Sequence, residues 1–164
     1  MRGWQVDTVG SALVAGQRSP ARRAGRKPAS VAVHAASAHR ARKEVILVDT
    51  SIWVDHFRRG NSALREALEE GVVASHAFVI GELACGNLRS RREILDLLGQ
   101  LPLLQVAEDR EIHHVLETHR LMGHGLGWVD VHLLGAARLG DAELWTLDRA
   151  LFEAAQRIGL RLVR

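Results

Sequence analysis

Short apolar runs alternate with amphipathic stretches along the chain from Val45 onward. The first run, residues 45–48, is apolar at every position, which is typical of a strand covered on both faces of a sheet. Similar runs recur at intervals that leave room for a helix between them. The pattern predicts strands at residues 45–48, 72–74, 103–106, 144–146 and 160–163.

Helix-type stretches occupy the intervals, and cap and turn residues mark their ends. Ser51 is the predicted N-cap of a first helix through about Arg59, and Asn61 is that of a second helix ending at Gly71. Strands that alternate with helices predict an α/β fold, with a mostly parallel sheet and helices on both faces. In such sheets the ligand site lies beyond the carboxyl ends of the strands. The other predicted helices span residues 77–88, 90–98, 109–122, 128–139 and 149–158.

The charge distribution separates the N-terminal segment from the rest of the chain. Residues 1–43 hold nine of the 22 Lys and Arg residues but a single acid, Asp7, although the whole chain carries only +3. Residues 1–44 show no strand or helix period, and we predict a disordered basic extension there. The composition resembles an organellar transit peptide, and it also fits an upstream stretch translated from a misassigned start. We favour the second interpretation because the folded pattern begins abruptly at Val45.

Composition excludes several other classes of protein. No apolar run reaches the ~18 residues that a membrane helix needs, so no membrane span is predicted. Cys85 is the single cysteine, which excludes an internal disulfide or a site of several thiolates and favours a reducing, cytoplasmic setting. We predict that Cys85 is a small buried apolar residue. His113, His114 and His119 are predicted to lie on a solvated helix face and not in a zinc site.

Acidic residues follow or interrupt the apolar runs at conspicuous points. Asp49 follows the first strand and could be a turn residue or a ligand, while Asp148 could be only the N-cap of the last helix. Asp130 lies in the first turn of its helix, where the helix dipole alone favours an acid. Glu82 is crowded by apolar neighbours in "VIGELACG", and acids are rarely buried unless they are paired or bound to metal.

Taken together, these acids point to a metal site. Several carboxylates in one place repel each other and raise each other's pKa, whereas a divalent cation reverses that cost. Mg²⁺ and Mn²⁺ prefer such hard oxygen ligands. The chemistry that needs such a cluster is phosphodiester hydrolysis, in which one or two metals activate a water and stabilise the leaving oxygen.

Four separated segments resemble the PIN-domain ribonucleases, most of all the VapC-type toxins of type II toxin–antitoxin systems. The segments are "VILVDTSIWVDHF", "ELACG", "GWVDVHLL" and "LWTLDRALF", in this order, within residues 45–164. The resemblance implies a PIN domain with a five-stranded parallel sheet flanked by helices, usually dimeric, inhibited by a VapB antitoxin. It implies Mg²⁺ or Mn²⁺ bound by Asp49, Glu82, Asp130 and Asp148, with supporting hydroxyls from Thr50, Ser51 and Thr146.

The predicted function is therefore a metal-dependent endoribonuclease toxin that inhibits translation. Two alternatives remain open at this point: a PIN-like module that binds RNA or a partner without catalysis, and a DNA-directed nuclease. Basic clusters could contact RNA phosphates or could simply be solvated faces. These clusters consist of Arg58, Arg59, Arg89, Arg91 and Arg92.

Overall fold

A short parallel sheet forms the centre of the computed structural model, which describes residues 44–163. The predicted basic extension, residues 1–44, lies outside that range except for Glu44. Its strands are β1 (Ile46–Val48), β2 (Val73–Ala74) and β3 (Glu143–Trp145), in the spatial order β2-β1-β3. β1 pairs in parallel with both neighbours, so that Ile46 lies opposite Val73 on one side and Glu143 on the other.

Helices connect and cover the strands, and the predicted helices are all present. α6 has the predicted bounds, whereas the N-caps of α1 and α5 are Asp49 and Glu108, each one or two residues earlier than the sequence indicated. No helix within the described residues is long and apolar enough to cross a membrane. The helices are α1 (Thr50–Arg59), α2 (Ser62–Glu69), α3 (Ala77–Cys85), α4 (Arg91–Leu98), α5 (Asp109–His119), α6 (Trp128–Leu139) and α7 (Arg149–Arg157).

The prediction of five strands is wrong, since the described residues form a three-stranded sheet. The two outer runs each meet the sheet through one bridge, Ser75 with Leu103 on one edge and Leu144 with Leu162 on the other. The first outer run has a single partner because β2 ends at Ala74 and His76 already caps α3. The outer runs therefore lie where edge strands were predicted but do not extend into ladders.

The core covers both faces of β1, as the unbroken apolar run predicted. Leu47 and Val48 are fully buried, and adjacent strand residues face opposite sides of a sheet. α1 contributes Trp53 and α6 contributes Leu133 to the same core cluster. The carboxyl ends of β1 and β3 are joined by a hydrogen bond from the Asp49 N–H to the Trp145 carbonyl oxygen (2.9 Å). Residues that follow these two strands are thereby brought to the same edge.

Two burial predictions on α3 are wrong for one reason. Its buried residues are Val79 and Leu83, which are one helical turn apart and define a narrow core-facing stripe. Glu82 and Cys85 lie off that stripe, and both are exposed. The apolar neighbours of Glu82 in the sequence therefore do not enclose it.

Candidate metal-binding and catalytic site

Asp49 lies at the end of β1 and is 5% exposed. Its Oδ2 atom accepts hydrogen bonds from the Ser51 hydroxyl (2.5 Å), the Thr146 hydroxyl (2.8 Å) and the Ser51 N–H (3.3 Å). All three bonds end on the same oxygen, so none of them occupies Oδ1. The carboxylate is held in one orientation while one of its oxygens is left for another partner.

The two hydroxyls also join the ends of β1 and β3. Ser51 Oγ accepts from the Leu147 N–H and Thr146 Oγ1 accepts from the Asp148 N–H, both at 2.9 Å. A hydroxyl has one hydrogen to donate, and a carboxylate only accepts, so both hydroxyl hydrogens point at Asp49. The hydroxyls therefore fix Asp49 to the chain segment that carries Asp148.

Glu82 approaches from α3 and is held by α1. Thr50 Oγ1 donates to Glu82 Oε2 at 2.5 Å, in an exposed position at the start of α1. Because Thr50 is the residue after Asp49, this bond brings a second carboxylate to the carboxyl edge of β1.

Asp130 reaches the same edge from α6. The Gly127 N–H donates to Asp130 Oδ2 at 2.7 Å and closes the first turn of the helix. The preceding glycine-rich loop lies against α7, since a Cβ on Gly125 would be 3.8 Å from the Ala150 Cβ; Gly125 itself has a φ of +77°, which favours glycine. The loop thus brings the start of α6 beside the start of α7, where Asp148 lies.

The four carboxylates interact electrostatically, as the pKa of Asp130 indicates. Burial raises the pKa of Asp130, and the negative charges of Asp148, Asp49 and Glu82 raise it further, while the Gly127 hydrogen bond opposes them. Four carboxylates therefore share one electrostatic neighbourhood at the edge formed by β1 and β3.

Asp148 also has the structural role that its sequence position suggested. Its Oδ1 accepts from the Leu151 N–H at 2.9 Å, so it caps α7. The residue is exposed, and the cap bond uses one carboxylate oxygen. A cap role and a ligand role are therefore compatible in geometry.

The donor chemistry of this edge fits a hard divalent cation. Within residues 44–163 no three His, Cys, Asp or Glu side chains stand together in an arrangement that could hold a metal ion. Mg²⁺, however, keeps several waters and is usually held by only one or two carboxylates, so it does not need such a cluster. The unused Oδ1 of Asp49 and the mutual repulsion felt by Asp130 are the features that a cation would use.

The basic residues predicted to contact RNA fall into two places. Arg58 and Arg59 end α1, about 14–15 Å along the helix from Asp49 at 1.5 Å per residue, and Arg59 pairs with Asp55. Arg91 lies nearer the carboxylates, because its Nε donates to the Ala84 carbonyl in the last turn of α3 (2.9 Å). Arg89 and Arg92 are exposed on either side of Arg91.

Histidines near the predicted motifs are mostly structural. His132 and His56 are buried, at 1% and 3% exposure, which agrees with local packing. His113 and His114 are exposed on α5, as predicted, whereas His119 is half-buried. The sequence reasoning overlooked Trp128, whose position two residues before Asp130 was its available signal.

Comparison with known proteins identifies the class to which this fold and site belong. The PIN domain model matches residues 46–157. The chain is 41% identical over 119 residues to Ribonuclease VapC32 of Mycobacterium tuberculosis, covering 72% of this chain and 96% of that relative. The chain therefore belongs to the PIN-domain family, as a VapC-type member, and the predicted family is confirmed.

Solved structures agree on the fold. FitAB bound to an IR36 DNA fragment aligns with a TM-score of 0.55 at 18% identity, covering 73% of this chain and 94% of that chain. FitAcB from Neisseria gonorrhoeae aligns with a TM-score of 0.52 at 17% identity, covering 73% and 97%. At these identities the likeness extends to the fold alone.

Proposed function

We propose that this chain is a divalent-metal-dependent endoribonuclease that hydrolyses RNA phosphodiester bonds and acts as the toxin of a VapBC type II system. By family it is a VapC-type ribonuclease, given its similarity to Ribonuclease VapC32. The observation that carries the proposal is the set of side-chain hydrogen bonds that fixes Asp49 and Glu82 at the edge formed by β1 and β3, beside the segment of Asp148. The negative charges of Asp49, Glu82 and Asp148 raise the pKa of Asp130, which agrees with this placement. Phosphodiester hydrolysis with a bound cation is the chemistry that such a cluster serves.

The proposed roles follow from the contacts of each residue. Asp49, Glu82 and Asp130 would hold Mg²⁺ or Mn²⁺ directly or through water, with Asp148 as the fourth member. The cation would supply positive charge to the scissile phosphate and to the attacking water. The hydroxyls of Ser51 and Thr146 engage Asp49 Oδ2, which leaves Oδ1 available as a ligand. The Thr50 hydroxyl positions Glu82 in the same way.

The proposed partners are an RNA substrate and a VapB-like antitoxin, with a homodimer in the cytoplasm as the working form. The VapC-type family supports an antitoxin and RNA. The homodimer is carried over from the family resemblance, and the cytoplasmic setting from the single cysteine. Arg91, bonded to the last turn of the helix that carries Glu82, is the best-placed of the predicted phosphate contacts.

Asp49→Asn tests the function. The substitution preserves shape but removes a buried negative charge, so we expect cleavage of an RNA oligonucleotide in Mg²⁺ or Mn²⁺ to fall to the level seen in EDTA. Asp96→Asn makes the same change at an exposed position of α4 and should leave cleavage unchanged. Cleavage of RNA alone would identify a ribonuclease, and cleavage of a matching DNA strand would identify a DNA-directed nuclease. Cleavage of neither strand would identify a non-catalytic module. Full RNA cleavage by Asp49→Asn would refute the site.

A further inference from the structure

Trp128 presents an exposed indole ring beside the proposed catalytic site. It is the first residue of α6, two positions before Asp130, and it is 46% exposed. Among residues 44–163 it is the one aromatic side chain in the set of exposed large apolar residues.

The ring is held in place by other aromatic side chains. Trp128 meets His132 edge to face, with ring centroids 4.8 Å apart, and His113 at 5.9 Å. His132 in turn meets Phe78 edge to face at 4.6 Å. We call Phe78, His132 and Trp128 the aromatic row. These contacts cover part of the indole, and at 46% exposure the rest of Trp128 is open to solvent.

The aromatic row begins at the helix that carries Glu82. Phe78 lies four residues before Glu82 on α3, and residues four apart share a helix face. The row therefore runs from the face of α3 that bears a carboxylate of the site to the exposed indole. The row thus joins the two helices that carry Glu82 and Asp130.

Base stacking is the RNA contact that residues 44–164 are best suited to make. Residues 44–164 carry 13 basic and 18 acidic residues, so the body has an excess of negative charge that repels a polyanion. Base stacking on an aromatic ring needs no charge, is tolerant of sequence, and contributes about 1–3 kcal/mol per base. A ring already fixed by its neighbours loses little conformational entropy when a base covers it.

We propose that Trp128 stacks against an unpaired RNA base next to the scissile phosphate. The inference rests on the proposed ribonuclease function and adds a substrate-binding residue to it. A protein segment could also cover an exposed indole, but the position beside the carboxylates favours the substrate. The two occupants make different predictions for RNA binding by the toxin alone.

The test measures RNA affinity without cleavage. In the Asp49→Asn background we compare Trp128→Leu, which keeps an apolar side chain but removes the ring face, with Trp128→Phe, which keeps a smaller one. For a single-stranded oligoribonucleotide of mixed sequence we expect Trp128→Leu to raise Kd about tenfold and Trp128→Phe about threefold or less. Leu139→Ala, at the exposed far end of the same helix, should leave Kd unchanged.

A second readout separates stacking from a merely structural role. Abasic nucleotides are placed at successive positions of the oligoribonucleotide. At one position the abasic site should raise the Kd of the Asp49→Asn parent about tenfold and leave the Kd of Trp128→Leu unchanged, because the ring and the base act as a pair. An unfolded Trp128→Leu variant would lose affinity for every oligonucleotide alike, and thermal unfolding identifies it.

The outcomes distinguish this inference from the function on which it rests. Equal RNA affinity of Trp128→Leu and its parent would overturn the stacking role in favour of a protein ligand, while the ribonuclease proposal would stand. Abasic effects of equal size in both variants would overturn it as well. Failure of the parent to bind any RNA would overturn both proposals, whereas failure of the wild-type chain to cleave RNA that it binds would contradict the catalytic function alone.

Discussion

Thr146 is the residue on which two parts of the proposed site depend. Its hydroxyl donates to Asp49 Oδ2 and accepts from the Asp148 N–H, and the side chain is buried. Thr146→Val keeps the shape and leaves both partners without that bond. Because a hydrogen bond to a charged group contributes ~1.5–3 kcal/mol, we expect urea unfolding to show a loss of about 2 kcal/mol. RNA cleavage should fall as well, since Asp49 loses its orientation.

Thr118→Val is the matched control for that prediction. Thr118 is exposed on α5, where its hydroxyl contacts only the neighbouring His114 ring at 3.4 Å in the hydrogen bonds described. We expect a stability change within about 0.5 kcal/mol, as for an ordinary surface substitution. Equal losses in the two variants would show that the Thr146 hydroxyl has no special role.

Residue identity was more predictable from the sequence than residue environment. The order of strands and acids placed Asp49 at the sheet edge, because the carboxyl ends of parallel strands meet there. The bond from the Leu147 N–H to Ser51 spans 96 positions, and no local pattern encodes it. The sequence also did not predict the exposure of Glu82, because the elements that pack against a helix decide which of its residues are buried.

At the scale of elements, the contact between α5 and α6 depends on a glycine. A Cβ on Gly135 would lie 2.8 Å from Ile112 Cδ1 and 3.4 Å from the Ala107 Cβ. Ile112 is fully buried and cannot easily move aside. Gly135→Ala should therefore lower stability by about 1–3 kcal/mol despite the better helix propensity of Ala.

Two further variants check that explanation by thermal or urea unfolding. Ile112→Val removes the Cδ1 atom, so it should recover part of the stability in the double variant. Gly81→Ala on α3 meets no atom within 4 Å and should instead stabilise by about 0.5–1 kcal/mol. Stabilisation by Gly135→Ala alone would contradict the proposed steric conflict.

The bounds of the elements show where local sequence stops being informative. Apolar periodicity identified α6 in full, because its whole central part from Val131 to Ala137 is buried. The end of α3 at Cys85 and the single bridge at Leu103 were not predictable in this way. Both depend on which backbone groups find hydrogen-bond partners in the folded chain.

At the scale of the whole molecule, buried histidines link stability to pH. His56 is 3% exposed; its Nδ1 accepts from the Asn61 N–H at 3.1 Å and its Nε2 has no partner within the described structure. Asn61 in turn caps α2 through the Leu64 N–H at 3.0 Å. Protonation would remove the Nδ1 acceptor and place a charge at the junction of α1 and α2. Protonation of His56 should therefore weaken this junction.

The direction of the pH effect on stability follows from the lowered pKa of His56. Burial lowers the pKa of His56 below its ordinary value of 6.5, and the Arg65 charge adds to this while Asp55 opposes it. The unfolded chain therefore binds the proton more readily than the folded one as the pH falls through 6.5. The free energy of unfolding should therefore fall from about pH 7.5 to about pH 5.5. His56→Gln should lose less stability over that interval than wild type, whereas His114→Gln, at an exposed position, should lose as much. Equal losses in His56→Gln and wild type would exclude His56 as the titrating group.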